Sequence, residues 1–157
     1  MNFSFLESPI GPLLLAGDGS ALSAISFHPA EPREEWTRDD RALRHAAEQL
    51  SEYFDGKRMA FELELAPRGT AFQRAVWNEL RRIPFGETRS YREIAVAIGK
   101  PEAVRAVGAA NGANPLPIVV PCHRVIGSNG SLTGFGGGIA AKRFLLDLER
   151  GTKPLFR

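Results

Sequence analysis

Pro115, Pro117 and Pro121 stand within seven residues of one another. A proline inside a helix removes a donor and clashes with the preceding turn, so the chain from Asn111 to Val125 must run extended. Ile118-Val119-Val120 reads as a short buried strand within it. This stretch divides the second half of the chain into helices before it and a helix after it. Before it, Thr70 can N-cap a helix whose apolar stripe is Phe72, Val76, Leu80 and Ile83, stopped by Pro84-Phe85-Gly86. Ser90-Tyr91-Arg92-Glu93 has the form of a capping box and opens a short helix to Ile98, stopped by Gly99. Pro101 suits the first position of the next helix, Glu102–Asn111, which Gly112 ends. Two short helices joined by a glycine-containing turn predict a helix-turn-helix. After the extended stretch come a turn at Gly127-Ser128-Asn129-Gly130 and the glycine-rich Gly134-Phe135-Gly136-Gly137-Gly138. No Lys-Ser/Thr pair follows those glycines, so they do not form a phosphate-binding P-loop. A closing helix runs from about Ile139 to Glu149 with Phe144, Leu145 and Leu148 inward.

The first half has a different grammar. Asn2–Leu6, Leu13–Ala16 and Leu22–Phe27 are strand-like runs separated by proline and glycine turns. A polar loop, Pro29–Thr37, leads to a helix from about Asp39 to Phe54 with Leu43, Ala46, Ala47, Leu50 and Phe54 on one face. Gly56 ends it, and Phe61–Leu65 alternates apolar and acidic residues as a half-exposed strand does. Pro67-Arg68-Gly69-Thr70 is the natural boundary. The expectation is therefore an α/β chain, with a small sheet-plus-helix domain over 1–68 and a helical domain over 69–157.

A chain of 157 residues, 43% hydrophobic, suits one ordinary domain or two small ones. No apolar run is long enough to cross a bilayer, and the N-terminus lacks a basic region and a cleavage site, so no membrane partner is expected. The single cysteine excludes an internal disulfide and favours a reducing compartment, so a cytoplasmic protein is expected. With one Cys and three His, a thiolate-rich structural zinc site is not expected. The net charge of +2 hides an asymmetry. From Thr70 onward thirteen basic residues face six acidic ones, a net of +7, while the first 69 residues net −5. That points to a polyanion partner for the second half, or to two halves of opposite charge that dock together; charge alone does not choose. The predicted second helix of the pair is equally ambiguous. Ala103, Ala106, Gly108, Ala109 and Ala110 leave it almost without bulk, and Arg105 is its one long side chain beyond the first turn. A major-groove reader carries several polar side chains. A smooth helix suits close approach to a nucleic-acid backbone or narrow groove, or simply tight packing against another helix.

Chemistry concentrates at Pro121-Cys122-His123-Arg124. A lone cysteine is by default a buried apolar filler. Here it follows a proline at the end of an apolar run, inside the basic half, with two cationic-type residues next to it, and cations favour the thiolate. On an extended backbone His123 points away from Cys122, so it needs a bend or a bridging water to reach the thiol. The reactive and the structural readings both remain open on these residues alone.

Pro121-Cys122-His123-Arg124-Val125, preceded by Asn114-Pro115-Leu116-Pro117-Ile118, resembles the active-site signature of the O6-alkylguanine-DNA alkyltransferases. Arg105-Ala106-Val107-Gly108 is similar to that family's recognition helix, and Ser90-Tyr91 to the start of its helix-turn-helix. The glycine-rich loop and Lys142…Leu145-Leu146-Asp147-Leu148-Glu149 resemble its active-site loop and final helix. The likeness runs from about Thr70 to Glu149; the first half fits the family only in layout. It implies a ribonuclease H-like N-terminal domain and a winged helix-turn-helix C-terminal domain. It implies repair of O6-alkylguanine, and of O4-alkylthymine, in double-stranded DNA by a monomer without cofactor or metal. Cys122 would be the alkyl acceptor, His123 its base through a water, Glu149 the group orienting His123, and Tyr91 a donor to the leaving base. Asn114 would brace the turn presenting the cysteine. Ser90, Tyr91, Arg105, Ala106 and Gly108 would meet DNA in the minor groove, with Arg105 filling the gap left by a flipped nucleotide. Val125, Phe135, Gly136 and Lys142 would form the pocket. Relatives often carry a tyrosine where this chain has Phe135, which keeps an apolar wall without a hydroxyl. A non-catalytic winged-helix regulator and a cysteine hydrolase are the competing classes.

Overall fold

The computed structural model describes residues 1–152. Lys153 and Arg157, counted above with the basic half, lie outside them. The chain forms two compact units, Met1–Arg68 and Gly69–Arg157.

The first unit is built on a four-stranded sheet. Strands β1 (Asn2–Leu6), β2 (Leu13–Asp18) and β3 (Ala21–Phe27) form an antiparallel meander, and β4 (Thr37–Arg38) adds parallel to β1, giving the order β3-β2-β1-β4. Central β2 carries Leu13, Leu14, Leu15 and Ala16, all buried. β4 is too short and too polar for any alternation to announce it. Helix α1 spans Arg44–Phe54, starting five residues later than the apolar spacing predicts. The Asp39 carboxylate accepts from the backbone amides of Arg41 and Ala42, both at 3.1 Å. Such local side-chain bonds hold the chain in a turn that competes with helix. Tyr53, not Phe54, is the buried aromatic at the helix end. The strand expected over Phe61–Leu65 shrinks to a single bridge between Leu22 and Leu65. Gln49 of α1 explains this. Its amide both donates to the Glu62 carbonyl and accepts from the Glu62 N–H, at 3.2 and 2.9 Å, taking the groups a ladder would need.

The second unit is helical: α2 (Ala71–Leu80), β5 (Arg89–Ser90), α3 (Tyr91–Ala97), α4 (Val104–Gly112), β6 (Val125–Ile126) and α5 (Ile139–Thr152). Thr70 caps α2 with a full capping box, its hydroxyl accepting from the Gln73 amide while the Gln73 side chain accepts from the Thr70 amide. Gly69 just before it has no room for a side chain, since a Cβ there would lie 2.4 Å from the Trp77 ring. Val76, Trp77, Leu80 and Ile83 are buried, and α2 packs against both α3 and α4. The Trp77 indole donates to the Ala110 carbonyl at 2.8 Å, locking α2 to α4.

Helices α3 and α4 form the helix-turn-helix. The Ser90–Glu93 capping box is complete, at 3.0 and 2.8 Å, and Gly99 turns the chain with φ +78. α4 begins two residues later than expected, with Pro101 left in the turn, and it includes Gly112. β5 and β6 pair in parallel, Arg89 with Val125 and Ser90 with Ile126. This short pair ties the start of α3 to the segment carrying the cysteine. Among the described residues no helix is long and apolar enough to cross a membrane.

Replacing Thr70 with Ala removes one half of the α2 capping box and should cost about 1 kcal/mol. Urea denaturation followed by the fluorescence of Trp77, which sits about two helical turns further on, is the measurement. No shift of the midpoint would mean that packing alone holds this helix end.

Candidate functional site

The residues around the cysteine do not form the strand that their apolar run predicts. Ile118 is buried with φ +76, a left-handed conformation that costs a β-branched residue energy. The Val120 N–H returns to the Leu116 carbonyl at 2.8 Å, closing a turn. Asn114 fastens it from outside, donating to the Val120 carbonyl at 2.8 Å and accepting from the Leu116 amide at 2.9 Å. Three apolar residues in a row signal burial here, not a strand, because Pro117 and Pro121 bring no N–H to a ladder. Cys122–Arg124 then forms one turn of 3-10 helix, with the Arg124 amide on the Pro121 carbonyl at 3.0 Å. This turn supplies the bend that an extended backbone would have denied to His123.

All three residues of the turn are buried. α5 packs against it and brings Glu149, itself 1% exposed. His123 Nε2 lies 2.7 Å from Glu149 Oε2. Arg124 holds the same carboxylate with a fork, Nε to Oε1 at 2.9 Å and Nη2 to Oε2 at 3.0 Å, and its Nη1 donates to the Ile83 carbonyl at 2.8 Å. The Gly86 N–H reaches Oε1 at 3.2 Å. Burial works to raise the Glu149 pKa, but the hydrogen bonds and charges of His123 and Arg124 overwhelm it and hold the carboxyl far below the usual range. An ionised carboxylate only accepts, so Nε2 of His123 carries the proton. Its Nδ1 is buried and has no hydrogen-bond partner among the described residues. Burial holds the imidazole pKa below its ordinary value, against the pull of Glu149 and with help from Arg124 and Lys142.

Cys122 is 5% exposed. Burial pushes its thiol above the ordinary range; the Asn114 side chain and the Lys142 charge pull the other way without reversing it. The expectation that Arg124 promotes the thiolate is thus corrected, because its guanidinium is committed to Glu149. The cation acting on the thiol is Lys142 instead. Its side chain is fully buried, and its ammonium donates to the Val125 carbonyl at 2.6 Å and the Thr133 carbonyl at 2.9 Å, above the Tyr91 ring. The Tyr91 hydroxyl donates to the same Thr133 carbonyl at 3.2 Å.

A groove of about 490 Å³ opens beside this cluster, lined by Tyr91, Val104, Gly108, Gly112, Thr133 and the loop Gly134–Gly136 with Phe135. Phe135 and Gly136 therefore face the groove, whereas Val125 and Lys142 are buried and do not line it. On α4 the residues facing inward are Val107, Ala110 and Asn111, while Arg105, Ala106, Ala109 and Gly112 are exposed. Some of the small residues thus form an outer surface, which tight helix packing does not account for. Exposed Arg81, Arg82, Arg92, Lys100, Arg105 and Arg143 give this unit its positive surface. Asn111, whose amide donates to the Cys122 carbonyl at 3.4 Å, and Thr133 were not singled out from sequence. Asn111 was legible as the one uncharged polar side chain of an Ala/Gly helix; nothing marked Thr133.

Residues 1–67 match the ribonuclease-like domain of 6-O-methylguanine DNA methyltransferase, and residues 71–151 match its DNA binding domain. The chain belongs to the 6-O-methylguanine DNA methyltransferase family. Among its relatives is a methylated-DNA–protein-cysteine methyltransferase of Methanosarcina barkeri, 53% identical over 95% of this chain and 97% of that one. The protein of the same name from Mycobacterium bovis is 52% identical over 98% and 95%. The crystal structure of Mycobacterium tuberculosis OGT in complex with DNA superposes with a TM-score of 0.93 at 53% identity, covering 97% of this chain and 94% of that one. The expected fold class, a sheet domain followed by a helical DNA-binding domain, is that of this family.

The buried neutral imidazole makes the methyltransferase fold acid-sensitive in a defined window. The His123 pKa is lower folded than unfolded, so the unfolded chain binds a proton first as pH falls below about 6.5. The stability His123 contributes is complete above that pH and is lost as pH drops toward the folded value. Urea midpoints should fall between pH 7.5 and 5.5, and His123→Gln should flatten that slope even if it lowers the plateau. An equal slope in both proteins would contradict a neutral buried ring.

Proposed function

We propose that this protein repairs DNA by irreversible transfer of the alkyl group from O6-alkylguanine, and from O4-alkylthymine, to Cys122. One observation carries the chemistry: His123 is buried with Nε2 on an ionised Glu149 and Nδ1 left to accept a proton. A thiol held neutral by burial needs such a base. The membership of the chain in this family, and the names of its relatives, support the substrate.

The Cys122 sulfur attacks the alkyl carbon in line, the S–C bond forms and the C–O6 bond breaks with its electron pair leaving on guanine. The thiol proton passes through a water to His123 Nδ1. Tyr91 donates toward the guanine as charge develops there, and proton return from His123 through solvent leaves neutral guanine and a thioether. Nothing in the site can hydrolyse a thioether, so each molecule acts once. No cofactor takes part. The Tyr91 hydroxyl rests on the Thr133 carbonyl in the free protein and must leave it to reach the base. Asn114 holds the turn next to the sulfur, Lys142 supplies the positive field from its place on the Val125 carbonyl, and Phe135 and Gly136 border the base.

The target atom lies inside the duplex, so the nucleotide must be flipped out at a cost of a few kcal/mol. The exposed α4 surface, smooth at Ala106 and Gly108, suits the minor groove, where width rather than sequence is read. Arg105 projects from it to fill the gap, and Ser90 and Tyr91 approach the strand at the start of α3. A monomer suffices for this action.

Incubation with DNA containing O6-methylguanine should add one methylene mass to the Cys122 peptide, in a single burst equal to the protein concentration. A folded, DNA-binding sample without the adduct would falsify transfer and favour a non-catalytic regulator. Continued turnover of an ester or amide would favour a hydrolase. Cys122→Ala should abolish the adduct and keep DNA binding.

Arg105→Ala should slow repair of duplex about tenfold or more while sparing reaction with free O6-benzylguanine. Equal loss on both substrates would rule out the gap-filling role.

A further inference from the structure

Glu149 serves two partners at once, and the second is not part of the transfer chemistry. Its carboxylate faces His123, yet Arg124 occupies both oxygens in a bidentate fork and Gly86 adds a third donor. The guanidinium is itself fixed on three sides, by the carboxylate, by the Ile83 carbonyl and by the face of Phe85, 5.7 Å from the ring centroid. It is 7% exposed, so water screens it little. A lone carboxylate beside an imidazole strongly stabilises the imidazolium. A carboxylate already neutralised by a guanidinium does so far less, because the pair presents no net charge to the ring.

We infer that Arg124 is a positioning residue that sets the proton affinity of His123, by sharing Glu149 with it. The inference rests on the reading of His123 as the base. Without Arg124, Glu149 would act on the ring as an unopposed anion and keep it protonated, and a protonated ring cannot take the thiol proton. With Arg124 in place the carboxylate still aligns the ring through Nε2 but leaves Nδ1 basic and empty at neutral pH. The other charged groups facing the ring act in known directions. From α5 these are Glu149 and Lys142, and from the turn itself Arg124; the Cys122 thiol beside the ring is held neutral by burial. From the segment after α2, the Ile83 carbonyl and Gly86 amide reach Arg124 and Glu149 rather than the ring. Lys142 repels a proton on His123 as Arg124 does, but its ammonium is held by the Val125 and Thr133 carbonyls. Arg124 is the cation the structure places on both Glu149 oxygens, and so it sets how much of that charge the ring feels.

The test is the titration of His123 by imidazole nitrogen NMR in protein carrying labelled histidine. In the unaltered protein the ring should be the neutral Nε2–H tautomer at pH 7, and an imidazolium there would overturn the inference. In Arg124→Gln the His123 titration should move up by about one pH unit or more, and in Arg124→Lys, which keeps the charge but loses the fork, by clearly less. The acid limb of single-turnover transfer from O6-benzylguanine should move by the same amount. Folded Arg124→Gln protein with an unshifted His123 titration would reduce Arg124 to a strut. Should that variant fail to fold, a detectable rise in Arg124→Lys supports the inference and no rise overturns it. The titration needs no alkyl transfer. An expected titration in a protein that never forms the Cys122 adduct would therefore sink the alkyl-transfer reading and leave this one standing.

Discussion

The Glu149 carboxylate, buried to 1% exposure, is the point on which the second unit's chemistry and packing both depend. Among the described residues, four donors from two stretches of chain converge on it: the Gly86 amide, His123, and two nitrogens of Arg124. An anion so far from water is tolerable only when its lone pairs are filled and its charge opposed. Removing any one partner therefore disturbs the others. The carboxylate thereby ties the cysteine-bearing turn and the segment after α2 to the last helix. The turn has little secondary structure of its own, and α5 fixes it through one side chain.

Lys142 plays the matching part on the other side of the cysteine. Its ammonium binds the carbonyls of Val125 and Thr133, so one cation joins the cysteine segment to the start of the glycine-rich loop. Tyr91 meets the same Thr133 carbonyl and brings in the helix-turn-helix. At Tyr91 and Thr133 the groove lining is thus held by a polar bond to backbone, which can be exchanged for a bond to a base.

Much of this was legible in advance, and the failures share a cause. The Thr70 cap, the Ser90–Glu93 capping box and the helix-turn-helix were announced by local signals that act within a few residues, Gly99 among them. The positions of strands β1 to β3 along the chain followed from turn residues in the same way. What misled were apolar or alternating runs whose backbone partners were taken elsewhere. Ile118-Val119-Val120 is buried but turned back on Leu116, and Phe61–Leu65 alternates but surrenders Glu62 to Gln49. In the site, family resemblance named Cys122, His123, Glu149, Asn114, Tyr91 and Lys142. The role of Arg124 escaped because adjacency in sequence suggested the thiol as its partner. The geometry of a 3-10 turn and the arrival of α5 gave it to Glu149, and no residue pattern encodes that. Thr133 takes part through its carbonyl, which every residue possesses.

Burial of the Cys122 sulfur has a further consequence for a protein that can react only once. A permanently ionised, open thiolate would be consumed by peroxide, by metabolic electrophiles and by any free alkylating agent, and each such encounter would waste a molecule. A sulfur buried in the Cys122–Arg124 turn and kept protonated there reacts sluggishly with these small reagents until its proton is drawn away. The hydrophobic setting that makes the nucleophile sluggish is therefore what gives it a shelf life.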